Sequence, residues 1–503
     1  MDDVGSHEDT AQLGRTEFAT SPVHTARVAS DPSAGRGWAV GITLGALGPL
    51  VLLAVLTAPA DARADQLGRS GLITILVFAA AVAGWMSNRL DDTFVALSAA
   101  SALVVLGALD AEELFESLGA DQIWLLVAAF VLAAGINRTG LPARLAIVLV
   151  GRARSARGLA HLITAGLVIT ALLVPSTSGR AALVLPIFLA LADAFAHRPR
   201  LVRALAVLFP TVVLLSAIAT LVGAGAHLIT SQVLDSTVGT GIGFGQWLLW
   251  GVPFAVVSSH LAAELVLLLF TGRAERRARL RVDAAALREQ LDVPPLMRRA
   301  EIRAIGLLGT VVLLWSTEAL HGLSPALIAL AGALLIASPR FGTVLIGAAI
   351  SEIPWSLLLF MAATTALGAA LTESGAAGWV AANALVGDSA GAMLIAVVAL
   401  SVAAHLLVQS RSARSAVLIP LIVPAALAVG MNPVALAFAS TAAAGFCHTL
   451  PSSAKPVAMF ARLDHTYAPR DLLKLSALLG PATGALVVLF ALFVWPALGL
   501  PLT

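Results

Sequence analysis

Charge is the scarcest property of this chain of 503 residues: Asp, Glu, Lys and Arg together make up 12% of it. Soluble domains carry roughly a quarter charged residues, so a water-soluble globule is excluded. The single cysteine, Cys447, rules out an intrachain disulfide, and within its apolar run it reads as a small core residue. Residues 1–37 have no short apolar core framed by basic residues and a cleavage pattern, which excludes a signal peptide there. Being polar, mixed in charge and without a periodic apolar face, they read as a disordered tail. The spans hold no nucleophile–base pair, and His260, His405 and His448 are scattered without ligand spacing. An enzyme and a metal centre are therefore not expected. The net charge of +2 says little alone, and no nucleic-acid partner is expected.

What is abundant is apolar. Hydrophobic residues make up 59% of the chain and the mean hydropathy is +0.92. About twenty apolar residues cross a bilayer, and such runs recur from Trp38 to Leu500. An all-α polytopic membrane protein follows. Trp38–Ala58, Gly71–Met86, Thr93–Leu109 and Ile123–Ile136 read as the first four spans. The loop Asp110–Asp121 holds five acids and no base, whereas Arg138, Arg144, Arg152, Arg154 and Arg157 crowd the next connector. Positive charge marks the cytoplasmic side, which puts the N-terminus inside. Gly158–Val174 and Ala181–Ala196 lie between that basic connector and Arg198, Arg200 and Arg203. They read as a re-entrant hairpin that enters and leaves on one face. Ala204–Leu221 spans and breaks at Val222–His227, and Gln246–Phe270 returns. Thr271–Arg303, with nine arginines against five acids, reads as a cytoplasmic linker helix.

The second half repeats the first. Ile305–Leu320, Pro325–Ser338 and Ile353–Leu371 span, Ala392–Val408 and Ser415–Val429 form a second hairpin, and Pro433–Leu450 breaks at Pro451–Pro456 before Leu475–Leu498 closes the chain. At the first hairpin tip stands Ser176-Thr177-Ser178-Gly179-Arg180-Ala181-Ala182, and 234 residues later Ser410-Arg411-Ser412-Ala413-Arg414-Ser415-Ala416. Both read S-x-S-small-R-small-A, followed by three aliphatics and a proline, Pro186 or Pro420. The loop Glu373–Gly391 after the second copy of Thr139-Gly140 is not basic, so one unit enters from each side. Two re-entrant hairpins in an inverted repeat, with broken helices, are the architecture of secondary transporters.

The tips carry the candidate chemistry. Ser176, Thr177, Ser178, Ser410 and Ser412 stand where helices start, either only to cap orphan amides or also to meet an anion with them. Arg180, Arg411 and Arg414 are costly at membrane depth. A bound carboxylate would partner them bidentately, and the rival role for Arg180 and Arg414 is to hold hairpin carbonyls. Among acids in the spans, Glu264 is the clearest alternative partner. In the broken helices, Gly223, Ser452 and Ser453 line the breaks. His227 is either a proton carrier or a hydrogen-bonded structural residue. Lys455 either adds charge to the site or snorkels to the surface.

These stretches resemble the divalent anion/sodium symporter family of dicarboxylate, citrate and sulfate carriers. The resemblance runs over Gly71–Leu498 and is carried by "NRTGL" within Leu132–Leu141, "LLWSTEALHGLSPALIALAGALLI" within Ile305–Ile336, "IPW…TESG" within Ile353–Gly375, both tips, and the breaks "TLVGAGAHLI" and "GFCHTLPSSAKPVAMF". It implies about eleven transmembrane helices, an elevator mechanism and a homodimer held by scaffold helices in the cell inner membrane. It also implies a division of the chain. The parts are a tail (1–37), first scaffold helices (38–137) and a first transport segment of hairpin and broken helix (138–230). A scaffold-side helix (246–270), a cytoplasmic linker (271–303) and second scaffold helices (304–372) follow. A second transport segment (390–460) and a last helix (475–498) complete it. The family's tip Ser-Asn-Thr falls on Ser176-Thr177-Ser178 and Ser410-Arg411-Ser412, and its break asparagines fall on His227 and Val457. Both tip asparagines are thus replaced. A sodium ion needs oxygen donors, and a guanidinium has none to give. No cofactor is expected; a weak sodium site at Ser176, Thr177 and Gly223 stays open. The function expected is secondary transport of a small anion, a di- or tricarboxylate, by exchange or proton coupling. Sulfate or another oxyanion on the same fold, and an anion channel, are the alternatives.

Overall fold

The computed structural model describes residues 67–503 apart from 88, 385–388 and 464–466. The expected tail and the span Trp38–Ala58 lie outside the described residues. Among those described, regular structure is helical, with one isolated antiparallel bridge between Ser155 and Arg279. Nine helices among them are long and apolar enough to cross a membrane.

The chain opens with α1 (Arg69–Ser87), α2 (Asp92–Val105) and α3 (Asp121–Arg138). Then come α4 (Leu141–Val150), the hairpin arms α5 (Ala156–Leu173) and α6 (Thr177–Ala194), and the two parts of a broken helix, α7 (Pro199–Leu215) and α8 (Gly225–Val238). Next are α9 (Phe244–Phe270), α10 (Arg299–Ser316) and α11 (Pro325–Ile336). The second unit runs through α12 (Trp355–Glu373), α13 (Ala376–Ala384), arms α14 (Ala390–Ala403) and α15 (Arg411–Ala428), and the broken pair α16 (Pro433–Ala443) and α17 (Lys455–Ala461). The last helix is α18 (Pro469–Leu489), extended through a π-helical turn at Phe490–Val494.

The repeat is structural. α3, α5, α6 and α7 begin at residues 121, 156, 177 and 199, and α12, α14, α15 and α16 begin at 355, 390, 411 and 433, each 234 residues on. Gly140 and Gly375 both take the left-handed conformation, at φ 79° and 73°, where a Cβ would be strained. Ser155 and Ser389 cap the entering arms, and Ser176 and Ser410 cap the tip helices through Gly179 N and Ala413 N. Packing across the repeat is reciprocal: α8 lies on α15, and α17 lies on α6. Each broken helix therefore braces the other unit's tip, the arrangement of two units related by a pseudo-two-fold axis.

Three boundaries differ from the sequence reading. The second break begins at Ala444 rather than Pro451: α16 stops just before Gly445, against which Arg411 of the same unit's tip lies. The linker is two short helices, Arg273–Arg277 and Ala284–Gln290, because the chain between them pairs with the basic connector through Leu280 N to Arg154 O, 3.0 Å. The returning helix starts at Phe244 rather than Gln246, and it packs along α5, α7 and α18 as well as against α10. Gly251 allows that approach, since a Cβ there would sit 2.2 Å from the Ile218 carbonyl oxygen. Trp247 Nε1 donates to the same oxygen at 2.9 Å.

Candidate functional site

A helix that stops leaves its last carbonyls without amide partners. At the first break α7 stops at Leu215, and Gly223 is forced by space: a Cβ there would lie 2.1 Å from the Ala217 oxygen. The two tips supply the missing donors. Arg180 Nη1 donates to Val213 O at 3.0 Å, and Arg411 Nη2 to Leu214 O at 3.1 Å. Consecutive carbonyls at one helix end thus receive an arginine from each hairpin, which brings the two motifs together.

The arginines are held very differently. Arg180 is fully buried and also donates through Nε to Thr170 Oγ1 (3.2 Å) and through Nη2 to Leu167 O and Ser216 Oγ (both 2.6 Å). It stitches arm α5 to the end of α7, which is the carbonyl-holding role. Arg411 makes the one bond to Leu214, and its Nε and Nη1 are buried without a partner. Its guanidinium rests on Gly445, where a Cβ would come within 2.7 Å of Nη2. Arg414, the repeat partner of Arg180, makes one long bond to Phe446 O (3.4 Å) and leaves Nε and Nη2 buried and unpartnered.

Histidines from both breaks complete this region. His227 donates from Nδ1 to Thr220 O (2.9 Å), stacks on Trp247 at 5.0 Å between ring centroids, and leaves Nε2 without a partner. His448 accepts the Cys447 amide at Nδ1 (3.2 Å) and lies against the Thr211 backbone, with Nε2 buried outside hydrogen-bonding geometry. Ser415 Oγ is a further buried polar atom without a bond. Cys447 is buried here as a free thiol.

The remaining candidates divide. Ser176 and Ser410 cap their helices, whereas Thr177, Ser178 and Ser412 are half-buried and their side chains form no hydrogen bond among the described residues. Ser412 Oγ lies against the start of α8, 3.1 Å from where a Cβ on Gly225 would be. Ser452 is exposed and accepts from Gln409 (3.4 Å), and Ser453 Oγ, buried, accepts from Leu450 N (2.8 Å). Lys455 is exposed at the start of α17, with Asp92 of α2 close by; Asp92 also faces Ser410. Glu264 is no partner of the tip arginines: it pairs with Arg157 Nε (2.7 Å) and His161 of α5, and His161 in turn bonds His260 at 2.8 Å. Those two bases stand one turn apart on the arm that faces it. Gly445, Ser415 and His448 are not among the candidate site residues read from the sequence; the signal available was the run "GFCHTLPSSAK" for Gly445 and His448, polar and glycine-bearing inside an apolar stretch, and the tip motif itself for Ser415.

The site therefore presents two guanidinium groups with unused donors. Asp92, which faces Ser410 and Lys455, stands at its edge. No group of histidine, cysteine and carboxylate side chains suited to a metal occurs among the described residues. The carbonyls at the end of α7, the oxygen type a sodium ion needs, are occupied by arginine N–H groups, so the second tip does not fit sodium.

Solved structures and relatives place this arrangement. The YdaH transporter of Alcanivorax borkumensis has a similar fold, at a TM-score of 0.53 and 18% identity, over 77% of this chain and 88% of that one. A membrane protein of Cupriavidus necator is 26% identical over 389 residues, 75% of this chain and 74% of the relative. The sodium-dependent dicarboxylate transporter SdcS of Staphylococcus saprophyticus is 22% identical over 460 residues, 86% and 87% of the two chains. Residues 47–500 match the family model described as the sodium:sulfate symporter transmembrane region. With nearly its whole length inside that match, the chain belongs to the sodium:sulfate symporter family, that of the divalent anion/sodium symporters.

Proposed function

We propose that the protein is a secondary transporter of a small dicarboxylate or tricarboxylate anion, bound between the second hairpin tip and the second break. The observation that carries this reading is the set of buried, unpartnered donors on Arg411 and Arg414. Buried charge without a partner costs several kcal/mol, and an anion with two carboxylates satisfies these groups in pairs. SdcS, a dicarboxylate carrier by name, supports the same substrate class. Arg411 Nε and Nη1 have no access to solvent, so an anion reaches them only when the tip and break separate. That requirement fits alternating access, with α5–α9 and α14–α18 moving as an elevator against α1–α3 and α10–α12. The static helices would form the contact of a homodimer in the inner membrane, with the N-terminus in the cytoplasm.

Two fixed positive charges at the tip replace what a co-bound cation would supply, which favours exchange or proton coupling over sodium symport. The test is flux into proteoliposomes preloaded with succinate or citrate. Uptake that requires internal anion and is unaffected by a sodium gradient is expected. Arg411→Ala removes it. Uptake unchanged in that variant, for every anion tried, contradicts the assignment. Sulfate or another oxyanion meets the same donors, and competition against labelled succinate separates the two substrate classes.

A further inference from the structure

Away from the tips, a cleft of about 570 Å³ opens where three membrane-length helices end together: the start of α7, the end of α9 and the start of α18. Charged residues resume at these three ends, Arg198–Arg203, Arg273–Arg281 and Arg470–Lys474, which puts the cleft where the apolar spans give way to the headgroups. Arg200 and Arg203 line it from α7, Lys474 from α18, and Leu269 and Phe270 from α9. Its one acid, Asp471, is 2% exposed and already engaged, accepting from Ala468 N at 2.9 Å and pairing with Arg203 Nε at 3.3 Å. Arg200 and Lys474 are exposed and form no ion pair among the described residues. Two helix starts add their positive ends to this surplus.

We propose that the cleft binds a phosphate group presented by an anionic phospholipid of the leaflet on the arginine-rich side. Basic pockets between transmembrane helices at that depth suit phosphorylated headgroups. The lipid source is favoured over free phosphate by the walls: Leu269, 37% exposed, and its neighbour Leu268, 63% exposed, continue from the cleft along the outer face of α9. A phosphate in the basic floor leaves its acyl chains on that apolar strip. The ligand ties the first broken helix to the last helix, apart from the anion site at the tips.

Native mass spectrometry of the purified protein, titrated with dioleoyl-phosphatidylglycerol or with phosphatidylcholine, tests this. Retention of phosphatidylglycerol over phosphatidylcholine is expected. The double variant Arg200→Ala/Lys474→Ala is expected to bind phosphatidylglycerol about 30-fold more weakly, from two lost charges near the surface. The exposed pair Arg299→Ala/Arg340→Ala, outside the cleft, is the control and should bind as the wild type does. Equal retention of the two lipids by the wild type, or equal loss in the control, overturns the proposal. Inorganic phosphate that alone stabilises the wild type as much as the lipid does, and displaces it, overturns the lipid source.

Discussion

The two hairpin tips share a sequence pattern and a capping pattern, yet one has its arginine fully hydrogen-bonded and the other leaves buried arginine donors without partners. In the first, Arg180 spends its N–H groups on Thr170, Leu167, Val213 and Ser216. In the second, Arg414 at the equivalent position finds one distant carbonyl, and the extra Arg411 finds one more. The same residue type at the same place in a repeat is therefore held in two different ways. What separates them is the neighbour: Arg180 has hydroxyls at Thr170 and Ser216 to close its shell, whereas Arg414 meets the Phe446 carbonyl and the Cys447 thiol. A buried arginine is informative only once its hydrogen bonds are counted.

The sharpest way to break this contrast is to remove each arginine in turn. Arg180→Ala leaves two carbonyls and a hydroxyl pair without their donor, so a loss of about 3 kcal/mol in stability is expected from unsatisfied buried acceptors; detergent-solubilised protein should unfold at a markedly lower temperature. Arg180→Lys should rescue little, since a point charge cannot reach four acceptors. Next comes Arg411→Ala, for which stability should hold or rise while anion affinity falls about 100-fold, the worth of one or two charge-assisted bonds. Calorimetric titration with succinate checks it, and a variant that unfolds like Arg180→Ala would make the two tips equivalent.

Smaller effects refine the picture. Gly445→Ala sets a methyl group where Arg411 Nη2 now lies, so the guanidinium must shift; affinity should drop about tenfold, as one displaced charged hydrogen bond allows. An unchanged titration would show that Arg411 does not need its present position. Least is expected of Ser178→Ala and Ser412→Ala, each about fivefold in affinity if the free hydroxyl meets the anion, about 1 kcal/mol. No change in either would assign both hydroxyls to packing alone.

Much of the fold was readable from the chain. The spans follow from apolar length, and the repeat follows from S-x-S-small-R, since each tip must cap a helix start in the same way. What was not readable depends on partners distant in sequence. The second break starts at Ala444 because Arg411, more than thirty residues earlier, occupies the space at Gly445; Pro451 is the louder local signal and misplaces it. Glu264 looked free to pair with the tips because nothing local shows that Arg157 and His161 face it. The packing side of α9 is set by Gly251 and Trp247 against a single carbonyl, a contact that apolar periodicity does not encode. His448 shows no ligand spacing, and its place against the Thr211 backbone becomes visible only when the break is folded.

The central claim is that the second tip, not the first, holds the anion, and that its arginines stand in for a cation. Stabilisation of the purified protein by succinate in sodium-free buffer, measured by thermal unfolding on the wild type and on Arg411→Ala, tests it most directly. The account predicts a rise in unfolding temperature for the wild type that is absent in the variant. An equal rise in both, or a rise in the wild type that appears only when sodium is added, would contradict it.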